Sequence, residues 1–380
     1  MKIMNSWKDP SRYLQHIHVE ESCLQLAYTQ EILDRAGLPW SVVADREEPV
    51  RFDCDYPQNL GAGKQHLFLS INRGQFFKPC PGTREYQCCS YHVLNTGMNC
   101  PMDCVYCILQ AYLNNPWISF YVNIEAMLSE LDSALDAEPD RLFRIGTGEF
   151  TDSLALDRLT GLSKILVEYF ARKKNAVLEL KTKSAVIENL QNLEHKGHTV
   201  IAWSLNSPAI MGREELRSAT LAERLEAARV CAEWGYKLAF HFDPLIDYPG
   251  WQDGYRETID LLFQSVPKQS IAWISLGALR YLPKLKEIGI DRFPGSRIFF
   301  QEFIEGLDGK SRYYRKNRTI LYRHIYNLLK ERAAVGTCIY FCMESREIWQ
   351  EVMGYIPDQF GSIAAMLDRT VFPVGKMPKP

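Results

Sequence analysis

Continuously apolar runs alternate with amphipathic segments along most of this chain. The runs that predict strands are 91–96, 141–146, 176–182, 198–206, 236–245 and 270–280. The segments with apolar residues at helical spacing are 123–136, about 154–173, near 184–196, 221–235 and near 251–264. Strands that alternate with helices of this length indicate β–α–β units and therefore a parallel sheet.

The number of these units favours a curved sheet. Six buried strands that alternate with helices fit an α/β fold of the partial (β/α)6 TIM-type barrel better than an open nucleotide-binding sheet. Functional side chains should then lie at the carboxyl ends of the strands. The flanks break the alternation, so we expect an N-terminal extension at 1–90, a core barrel at 91–310, and a C-terminal basic helix with a closing segment at 311–380.

Composition limits the classes of partner. The chain has 380 residues, of which 46% are hydrophobic, enough for one large core or two moderate ones. Its formal net charge of −2 gives no whole-chain attraction to nucleic acid or anionic membranes, so such a partner must use a local patch. Residues 1–15 lack the apolar centre of a signal peptide, and no apolar run approaches the roughly 20 residues that span a bilayer. We therefore expect a cytoplasmic protein with no membrane partner.

Cysteine usage adds the first candidate chemistry. Eleven cysteines in a reducing compartment are better explained as metal ligands or reactive thiols than as disulfides. The stretch NCPMDCVYC (99–107) spaces Cys100, Cys104 and Cys107 as Cys-x3-Cys-x2-Cys. Three thiolates in one loop can bind three irons of a [4Fe–4S] cluster and leave the fourth iron open to another ligand. A structural zinc ion would need a fourth protein ligand, and a chance grouping of cysteines is the remaining alternative.

This loop after the first strand of a β/α barrel is the signature of the radical S-adenosylmethionine (SAM) superfamily, which the chain resembles, and Tyr106 before the last cysteine also matches. The chain further resembles the spore photoproduct lyase family over roughly residues 90 to 335, through segments in the same order and at similar spacing: 104–113, 119–128, 178–190, 201–206 and 250–256. The resemblance implies a radical SAM core barrel, a [4Fe–4S] cluster held by Cys100, Cys104 and Cys107, cleavage of SAM to a 5′-deoxyadenosyl radical, and an electron donor such as flavodoxin or ferredoxin.

The resemblance also implies contacts with SAM. Residues 146–149 fall where the superfamily has its Gly-Gly-Glu turn, and other matching positions lie at strand ends. The implied set is Tyr106, Gly146, Thr147, Gly148, Glu149, Lys183, Ser204 and Asn206. The alternatives are an ordinary glycine turn and polar residues that end strands for structural reasons.

Two positions depart from the family pattern. In the lyases, a cysteine after the second strand gives a hydrogen atom to the product radical, and a tyrosine after the last cluster cysteine helps to return it to SAM. Here those positions are Glu149 and Ile108, and neither side chain can replace a thiol or a phenol as hydrogen donor. We therefore expect Glu149 to serve SAM binding and SAM to be consumed, unless Cys338 or Cys342 stands in.

The remaining cysteines leave two interpretations open. Cys80, Cys88 and Cys89 can form a second metal site with Cys54 or with the C-terminal pair of cysteines, or they can be buried structural residues. The spacing matches no ligand pattern, which favours the structural interpretation.

Two further polar features have structural and functional interpretations. The sequence GAGK (61–64) lacks the first glycine and the Ser or Thr of a phosphate loop and predicts a turn. His241 and Asp243 alternate along the fifth strand, where they can be metal ligands or acid–base groups. Hydrogen-bonded core residues are the alternative.

The segment Lys310 to Arg332 carries eight Lys or Arg, one Glu and four Tyr. Such a segment suits single-stranded or flipped nucleotides, because its basic residues can neutralise the phosphates and its tyrosines can stack on the bases. We expect Arg315, Lys316 and Arg318 on the solvated side. The alternative is an amphipathic helix that packs on the barrel through Ile320, Leu321, Ile325, Leu328 and Leu329.

Three functions follow from these patterns. The leading one is a spore photoproduct lyase-like radical SAM enzyme that acts on nucleic acid, as in DNA repair. The second keeps the radical chemistry but gives it a peptide or small-molecule substrate. The third is an iron–sulfur redox or binding protein that does not cleave SAM.

Overall fold

The structure is a computed structural model that describes residues 7–45, 47–48, 50–82 and 85–372. Its strands are β1 (His16–Glu20), β2 (Trp40–Val43), β3 (His66–Ser70), β4 (Phe77–Pro79), β5 (His92–Leu94), β6 (Gly97–Met98), β7 (Asp103–Cys104), β8 (Ile118–Tyr121), β9 (Phe143–Gly146), β10 (Ala176–Thr182), β11 (Thr199–Ser204), β12 (Glu215–Leu216), β13 (Lys237–Leu245), β14 (Ile271–Ala278), β15 (Arg280–Tyr281), β16 (Phe303–Glu305), β17 (Ser311–Tyr313) and β18 (Cys338–Phe341). Its α-helices are α1 (Ala27–Ala36), α2 (Asn59–Gly63), α3 (Leu109–Tyr112), α4 (Ile124–Ala137), α5 (Asp157–Thr160), α6 (Leu162–Phe170), α7 (Pro208–Glu214), α8 (Leu221–Glu233), α9 (Trp251–Ser265), α10 (Pro283–Arg292), α11 (Arg315–Arg332), α12 (Arg346–Met353) and α13 (Ile363–Val371).

The main sheet is the predicted half-barrel. Its strand order is β18-β14-β13-β11-β10-β9-β5-β4. All neighbours from β5 to β18 pair in parallel, and β4 pairs antiparallel with β5 at one edge. Every residue of β11 and of β14 is buried, which explains why these strands read as unbroken apolar runs. The six predicted strands are therefore present, and β18 from the C-terminal flank adds a seventh parallel strand.

Two helix predictions differ from the structure. The helix expected near 184–196 is wrong, because this segment holds only a 3-10 turn over Glu188–Leu190. Hydroxyl side chains satisfy the local backbone there: the N–H of Ser184 donates to Thr182 Oγ1 at 2.8 Å, and the N–H of Val186 donates to Ser184 Oγ at 3.0 Å. Such bonds compete with a helical turn. The helix expected over 154–173 is divided into α5 and α6 at Gly161, whose φ is +62°.

A second sheet lies beside the barrel and has the order β2-β1-β3-β8-β6. Strands β1, β2, β3 and β8 pair in parallel, and β6 runs antiparallel to β8. The sequence did not predict β8, which follows the cysteine loop. The chain thus leaves the barrel after β5, enters this N-terminal sheet at β6, and forms the cysteine loop immediately afterwards.

The segment 61–64 does not form the predicted turn. Its glycines complete α2, and Lys64 follows as a buried residue, 2% exposed. Helix α2 packs directly on the chain before β8, because a Cβ atom on Gly63 would lie 2.3 Å from the carbonyl carbon and oxygen of Pro116. A glycine at this position is therefore required by backbone contact.

Within the described ranges, no helix combines the length and the apolar character needed to cross a membrane.

We expect Gly63→Ala to destabilise the protein, because its methyl group would meet backbone atoms that cannot rotate away. The cost should be about 1–3 kcal/mol, as for other overpacked sites, and urea unfolding measures it. Gly212→Ala in α7 is the matched control, since a Cβ there meets nothing within 4 Å and a helical alanine is favoured over glycine. Equal stability of the two variants would contradict this account of α2.

Candidate active site

The three cysteines of the loop lie where the two sheets meet. Cys104 is in β7, which pairs antiparallel with β12 through Cys104 and Glu215. The N–H of Cys107 donates to the carbonyl of Cys104 at 3.1 Å, which closes a tight turn. Cys104 is buried, and Cys100 and Cys107 are partly exposed. The loop thus presents three thiols from one compact piece of backbone.

Lys64 and Asn99 hold the first half of this loop. The Lys64 ammonium group donates to Asn99 Oδ1 and to the carbonyl of Cys100, both at 3.0 Å, and to the carbonyl of Met102 at 2.6 Å. Asn99 has φ +69°, a left-handed conformation that asparagine tolerates well. Its N–H donates to the carbonyl of Phe150 at 2.8 Å, which ties the loop to the segment after β9. The sequence did not single out Lys64, because its partners lie far along the chain.

Gln110 and Arg292 hold the second half. The side-chain amide of Gln110 donates to the carbonyls of Cys104 and Val105 at 3.0 and 3.1 Å. Arg292, at the end of α10, forms a two-pronged ion pair with Asp103 at 2.8 and 3.1 Å and also donates to Gln110 Oε1. Both halves of the loop are therefore fixed by side chains from outside it.

Tyr106 is held by a buried charge pair. Its hydroxyl group donates to Glu215, and Arg224 NH2 lies 2.5 Å from the other oxygen of Glu215, with both side chains almost fully buried. Burial disfavours the Glu215 charge, but Arg224 and Lys183 outweigh burial and keep the pKa of Glu215 below its usual value. The Lys183 ammonium lies 5.8 Å from the centre of the Tyr106 ring. Tyr106 and Lys183, two of the expected SAM contacts, are thus neighbours beside the loop.

The electrostatics of the loop fit a bound cation cluster. Burial raises the pKa of Cys104 well above its usual value, Lys183 opposes this rise, and Cys107 and Cys100 add to it. Burial likewise raises the pKa of Cys100, with Lys64 opposing. Three thiols close enough to influence each other can ionise together only if cations compensate them. Irons of a [4Fe–4S] cluster supply such cations, so the donor set fits that group.

A single metal ion is a different case. In the part of the chain that the structure describes, no group of three or more His, Cys, Asp or Glu residues is placed to hold one ion. A cubane cluster distributes its cysteine ligands over separate irons, so this result does not bear on the cysteine loop. It does leave the second metal site suggested for Cys80, Cys88 and Cys89 without support as a single-ion site.

The glycines of the expected SAM turn have packing roles in the structure. A Cβ on Gly146 would lie 1.6 Å from the Tyr91 hydroxyl oxygen, and one on Gly148 would lie 2.8 Å from Cβ of Lys181. Thr147 Oγ1 donates to Ser153 Oγ at 2.7 Å. These contacts account for small residues here without a ligand, so the SAM role of 146–148 stays a prediction.

Glu149 forms an ion pair with Lys181, which sequence reasoning missed. Burial disfavours the charge of Lys181, but Glu149 and Glu179 outweigh burial and raise its pKa. The side chain of Glu149 keeps one third of its surface exposed, 33%. The Glu149 carboxylate is therefore paired with a lysine from β10 and remains partly accessible to solvent.

The remaining expected SAM contacts are engaged by the protein itself. The N–H of Lys183 donates to Asp152 Oδ2 at 2.7 Å, and the carbonyl of Ser204 accepts from Arg224 at 2.7 Å. The side-chain amide of Asn206 donates to the carbonyl of Pro244 at 2.8 Å and its oxygen accepts from the Tyr255 hydroxyl at 2.7 Å. The Lys183 ammonium group lies over the Tyr106 ring beside the loop, whereas Asn206 has to exchange internal bonds to reach a ligand.

His241 and Asp243 belong to a layered set of paired charges inside the barrel. His241 Nε2 lies 2.6 Å from Glu179 Oε1, and the Ser275 hydroxyl lies 2.7 Å from His241 Nδ1. Asp243 accepts from both terminal nitrogens of Arg280 at 2.9 and 3.1 Å. Arg280 outweighs burial and lowers the pKa of Asp243. The hydrogen-bonded core interpretation therefore describes His241, and Asp243 is neutralised by Arg280.

A second group of cysteines is brought together near the barrel opening. Cys80, Cys88, Cys89 and Cys342 influence one another's pKa values pairwise, so their thiols share one environment. The Cys88–Cys89 hydrogen bond lowers the pKa of Cys88. Cys342, one of the residues expected to complete this group, lies among these cysteines. Cys54 is exposed on the approach to α2.

The basic segment packs mainly as the alternative predicted. Leu321, Ile325, Leu328 and Leu329 are buried, whereas Ile320 is 48% exposed. The expectation that Arg318 faces solvent is wrong, because it is buried and pairs with Glu344 at 3.1 Å.

Most charges of the segment already have acidic partners, and these pairs are Lys310–Asp308, Arg312–Asp308, Arg315–Glu351, Arg323–Glu351 and Arg332–Asp260. These acidic partners offset part of the positive charge of α11.

Comparison with known proteins identifies the family. The sequence model described as spore photoproduct lyase matches residues 55–342. The spore photoproduct lyase of Bacillus subtilis is 27% identical over 326 residues, which cover 84% of this chain and 92% of that protein. The Geobacillus enzyme is 26% identical over 307 residues, which cover 79% and 81%. The Clostridium acetobutylicum enzyme is 27% identical over 206 residues, so the match spans 54% of this chain and 60% of that protein's length.

Solved structures share the fold. A spore photoproduct lyase variant with bound AdoMet and dinucleoside spore photoproduct superposes with a TM-score of 0.77 at 21% identity, covering 86% of this chain and 98% of that one. A complex of spore photoproduct lyase with dinucleoside spore photoproduct gives 0.76 at 20% identity, with the same coverage. The expected radical SAM half-barrel and enzyme class are confirmed by the fold and by the family match together. This chain belongs to the spore photoproduct lyase family of radical SAM enzymes.

Proposed function

We propose that this protein is a radical SAM lyase that repairs spore photoproduct in DNA. The observation that carries the proposal is the cysteine loop, held by Lys64, Gln110 and Arg292 beside Lys183, inside a family match that covers most of the chain. The solved relatives that bind a dinucleoside spore photoproduct support this lesion as the substrate. DNA is accordingly the proposed partner.

The proposed cofactors follow from the same loop. Cys100, Cys104 and Cys107 would hold the [4Fe–4S] cluster, and SAM would lie between the loop and Tyr106, Lys183 and the 146–149 turn, with Ser204 and Asn206 toward its ribose. Together these groups supply a 5′-deoxyadenosyl radical. Arg224 and Glu215 keep Tyr106 in place. A reduced flavodoxin or ferredoxin is the proposed electron donor, and the cytoplasm the proposed compartment.

The residues at the barrel opening decide whether SAM is regenerated or consumed. Glu149 is paired with Lys181 and carries no transferable hydrogen atom. Ile108 is the N-cap residue of α3 and directly follows Cys107, where the family has its tyrosine. Without a phenol at this position, the hydrogen atom taken up by 5′-deoxyadenosine has no return path. We therefore propose that SAM is consumed as a cosubstrate.

We propose a division of labour along the chain with the boundaries expected from the sequence. The N-terminal extension (1–90) supplies Lys64 to the loop, the core (91–310) carries the cofactor residues, and the C-terminal part (311–380) closes the barrel with β18. We propose that α11 mainly braces this last strand, because its basic residues are largely paired. DNA contacts then fall to the barrel opening more than to Lys310–Arg332.

Anaerobic reconstitution should give about four irons per chain, since a cubane cluster needs all three loop thiolates. Cys100→Ala, Cys104→Ala and Cys107→Ala should each lose the cluster and the cleavage of SAM. Iron analysis and the cluster's visible absorption measure the result. Cys54→Ala, at an exposed cysteine, is the control. A triple alanine variant with a SAM-responsive cluster would exclude this assignment.

Lys64→Met should weaken both the fold and the cluster, because it keeps the apolar stem but removes the donor to three acceptors, two of them in fully buried hydrogen bonds. Each acceptor left unpaired costs roughly 1–3 kcal/mol. Thermal unfolding and iron content report the two effects. Lys164→Met, at an exposed position of α6, should match the parent. Parental stability and full iron content in Lys64→Met would show that the loop does not depend on this lysine.

An anaerobic assay with dinucleoside spore photoproduct tests the proposed reaction. We expect repaired thymidylyl-thymidine and 5′-deoxyadenosine to accumulate in step, because Ile108 cannot return the hydrogen atom. Many repairs per SAM would contradict consumption of SAM. 5′-Deoxyadenosine without repair would point to another substrate, and no 5′-deoxyadenosine from a reduced, fully loaded sample would point to a redox or binding protein.

A further inference from the structure

Cysteines gather where the two edges of the barrel sheet approach each other. One edge is formed by β4 and β5, and the other by β18. Gln87 forms an isolated antiparallel bridge with Glu344, and its N–H donates to the carbonyl of Glu344 at 3.0 Å. We call this junction the seam. Cys80, Cys88 and Cys89 lie on its β4–β5 side, and Cys342 lies on its β18 side.

The side chain of Cys342 faces the barrel interior. Its neighbour Phe341 packs outward, with ring centroids 4.5 Å from Tyr322 of α11 and 5.1 Å from Trp349 of α12. Because side chains alternate along a strand, Cys342 points to the opposite side. It also stands one residue beyond β18, and its N–H donates to the carbonyl of Leu276 in β14 at 2.9 Å. Cys342 therefore lies at the carboxyl end of the barrel, where substrates of this fold bind.

Charged side chains of the barrel opening surround this thiol. Arg280 NH2 lies 3.5 Å from Cys342 Sγ while the same guanidinium group is paired with Asp243. The backbone leaves space for this arrangement, since a Cβ on Gly277 would lie 2.6 Å from the Asp243 carboxylate and 2.7 Å from Arg280. The contact with Arg280 therefore fixes the direction of the Cys342 thiol.

The thiol keeps its hydrogen at neutral pH. Burial raises the pKa of Cys342 to about 12; Arg280 opposes the rise, and Asp243 and Glu149 add to it. A thiolate has no hydrogen atom to give, so the protonated form is the useful one.

We propose that Cys342 is the hydrogen-atom donor to the substrate radical in this enzyme, from the end of β18 instead of the loop after β9. The inference rests on the proposed function. It distinguishes Cys342 from Cys338, which lies four residues earlier at the level of Trp273, deeper in the sheet.

The step is balanced as a homolytic transfer. The carbon-centred radical of the opened lesion takes the hydrogen atom from Sγ of Cys342, so an S–H bond breaks, a C–H bond forms, and the unpaired electron remains on sulfur. One electron from the flavodoxin- or ferredoxin-type donor and one proton from solvent then restore the thiol. No hydrogen atom from 5′-deoxyadenosine is needed, in agreement with consumption of SAM.

Repair of dinucleoside spore photoproduct in D2O tests this role, because a thiol exchanges its hydrogen with solvent. The parent should form thymidylyl-thymidine with solvent deuterium at the carbon that received the atom. Cys342→Ser keeps the size of the side chain and an acceptor for Arg280, but its O–H bond is too strong to give up a hydrogen atom. We expect this variant to fold, to cleave SAM, and to form repaired product about tenfold or more slowly, as for loss of a group used only in the transition state.

Cys338→Ala and Cys80→Ala are the matched controls and should retain the deuterated product. The inference would be overturned if Cys342→Ser repaired the lesion at the parental rate and with solvent deuterium in the product, or if Cys80→Ala lost the deuterated product instead. The proposed function would stand in both cases. A parent that cleaves SAM and repairs no spore photoproduct would contradict the proposed function, and the inference with it. Circular dichroism and iron content of Cys342→Ser establish that it is folded and loaded when it is assayed.

Discussion

The buried ammonium group of Lys64 is the contact on which the cysteine loop depends. The loop comes directly after the chain passes from β5 of the barrel to β6 of the N-terminal sheet. The carbonyl groups of the loop are therefore not paired within a long strand. Lys64 instead supplies three hydrogen bonds from one positive charge, and bonds to a charged donor are the stronger kind. Because Lys64 follows α2, the N-terminal part contributes directly to the support of the cysteine loop.

Inside the barrel, three acidic side chains each lie beside a basic partner. Glu179 pairs with His241, Asp243 with Arg280, and Glu149 with Lys181. Burial of an unpaired charge would be far more costly than burial of a pair. Glycines at 148 and 277 leave room for two of these pairs, because a Cβ atom there would meet Lys181, or Asp243 and Arg280.

Regular features of the site were predictable from sequence, and long-range partnerships were not. The barrel strands β5, β9, β10, β11, β13 and β14 could be read from apolar runs, and the grouping of Cys100, Cys104 and Cys107 from their spacing. Lys64 gave no signal, since its partners are 35 to 38 residues away along the chain and its own neighbourhood resembles a turn. Likewise, the pairing of Glu149 with Lys181 and of Arg318 with Glu344 depends on which strand ends meet, which no local pattern encodes. The failed helix at 184–196 had helical spacing, but hydroxyl-to-backbone bonds competed with it.

The seam explains how a hydrogen donor can change strand within one fold. In a half-barrel the carboxyl ends of all the parallel strands border the same opening, so the loop after β9 and the end of β18 both reach the space where a substrate lies. The loop after β9 carries the Glu149 carboxylate, which forms an ion pair with Lys181 of β10. A thiol on the opposite edge, protonated by burial and held by Arg280, reaches the same space without competing for that position. Hydrogen-atom transfer requires only that the donor lie close to the substrate radical. The donor can therefore come from different positions along the chain.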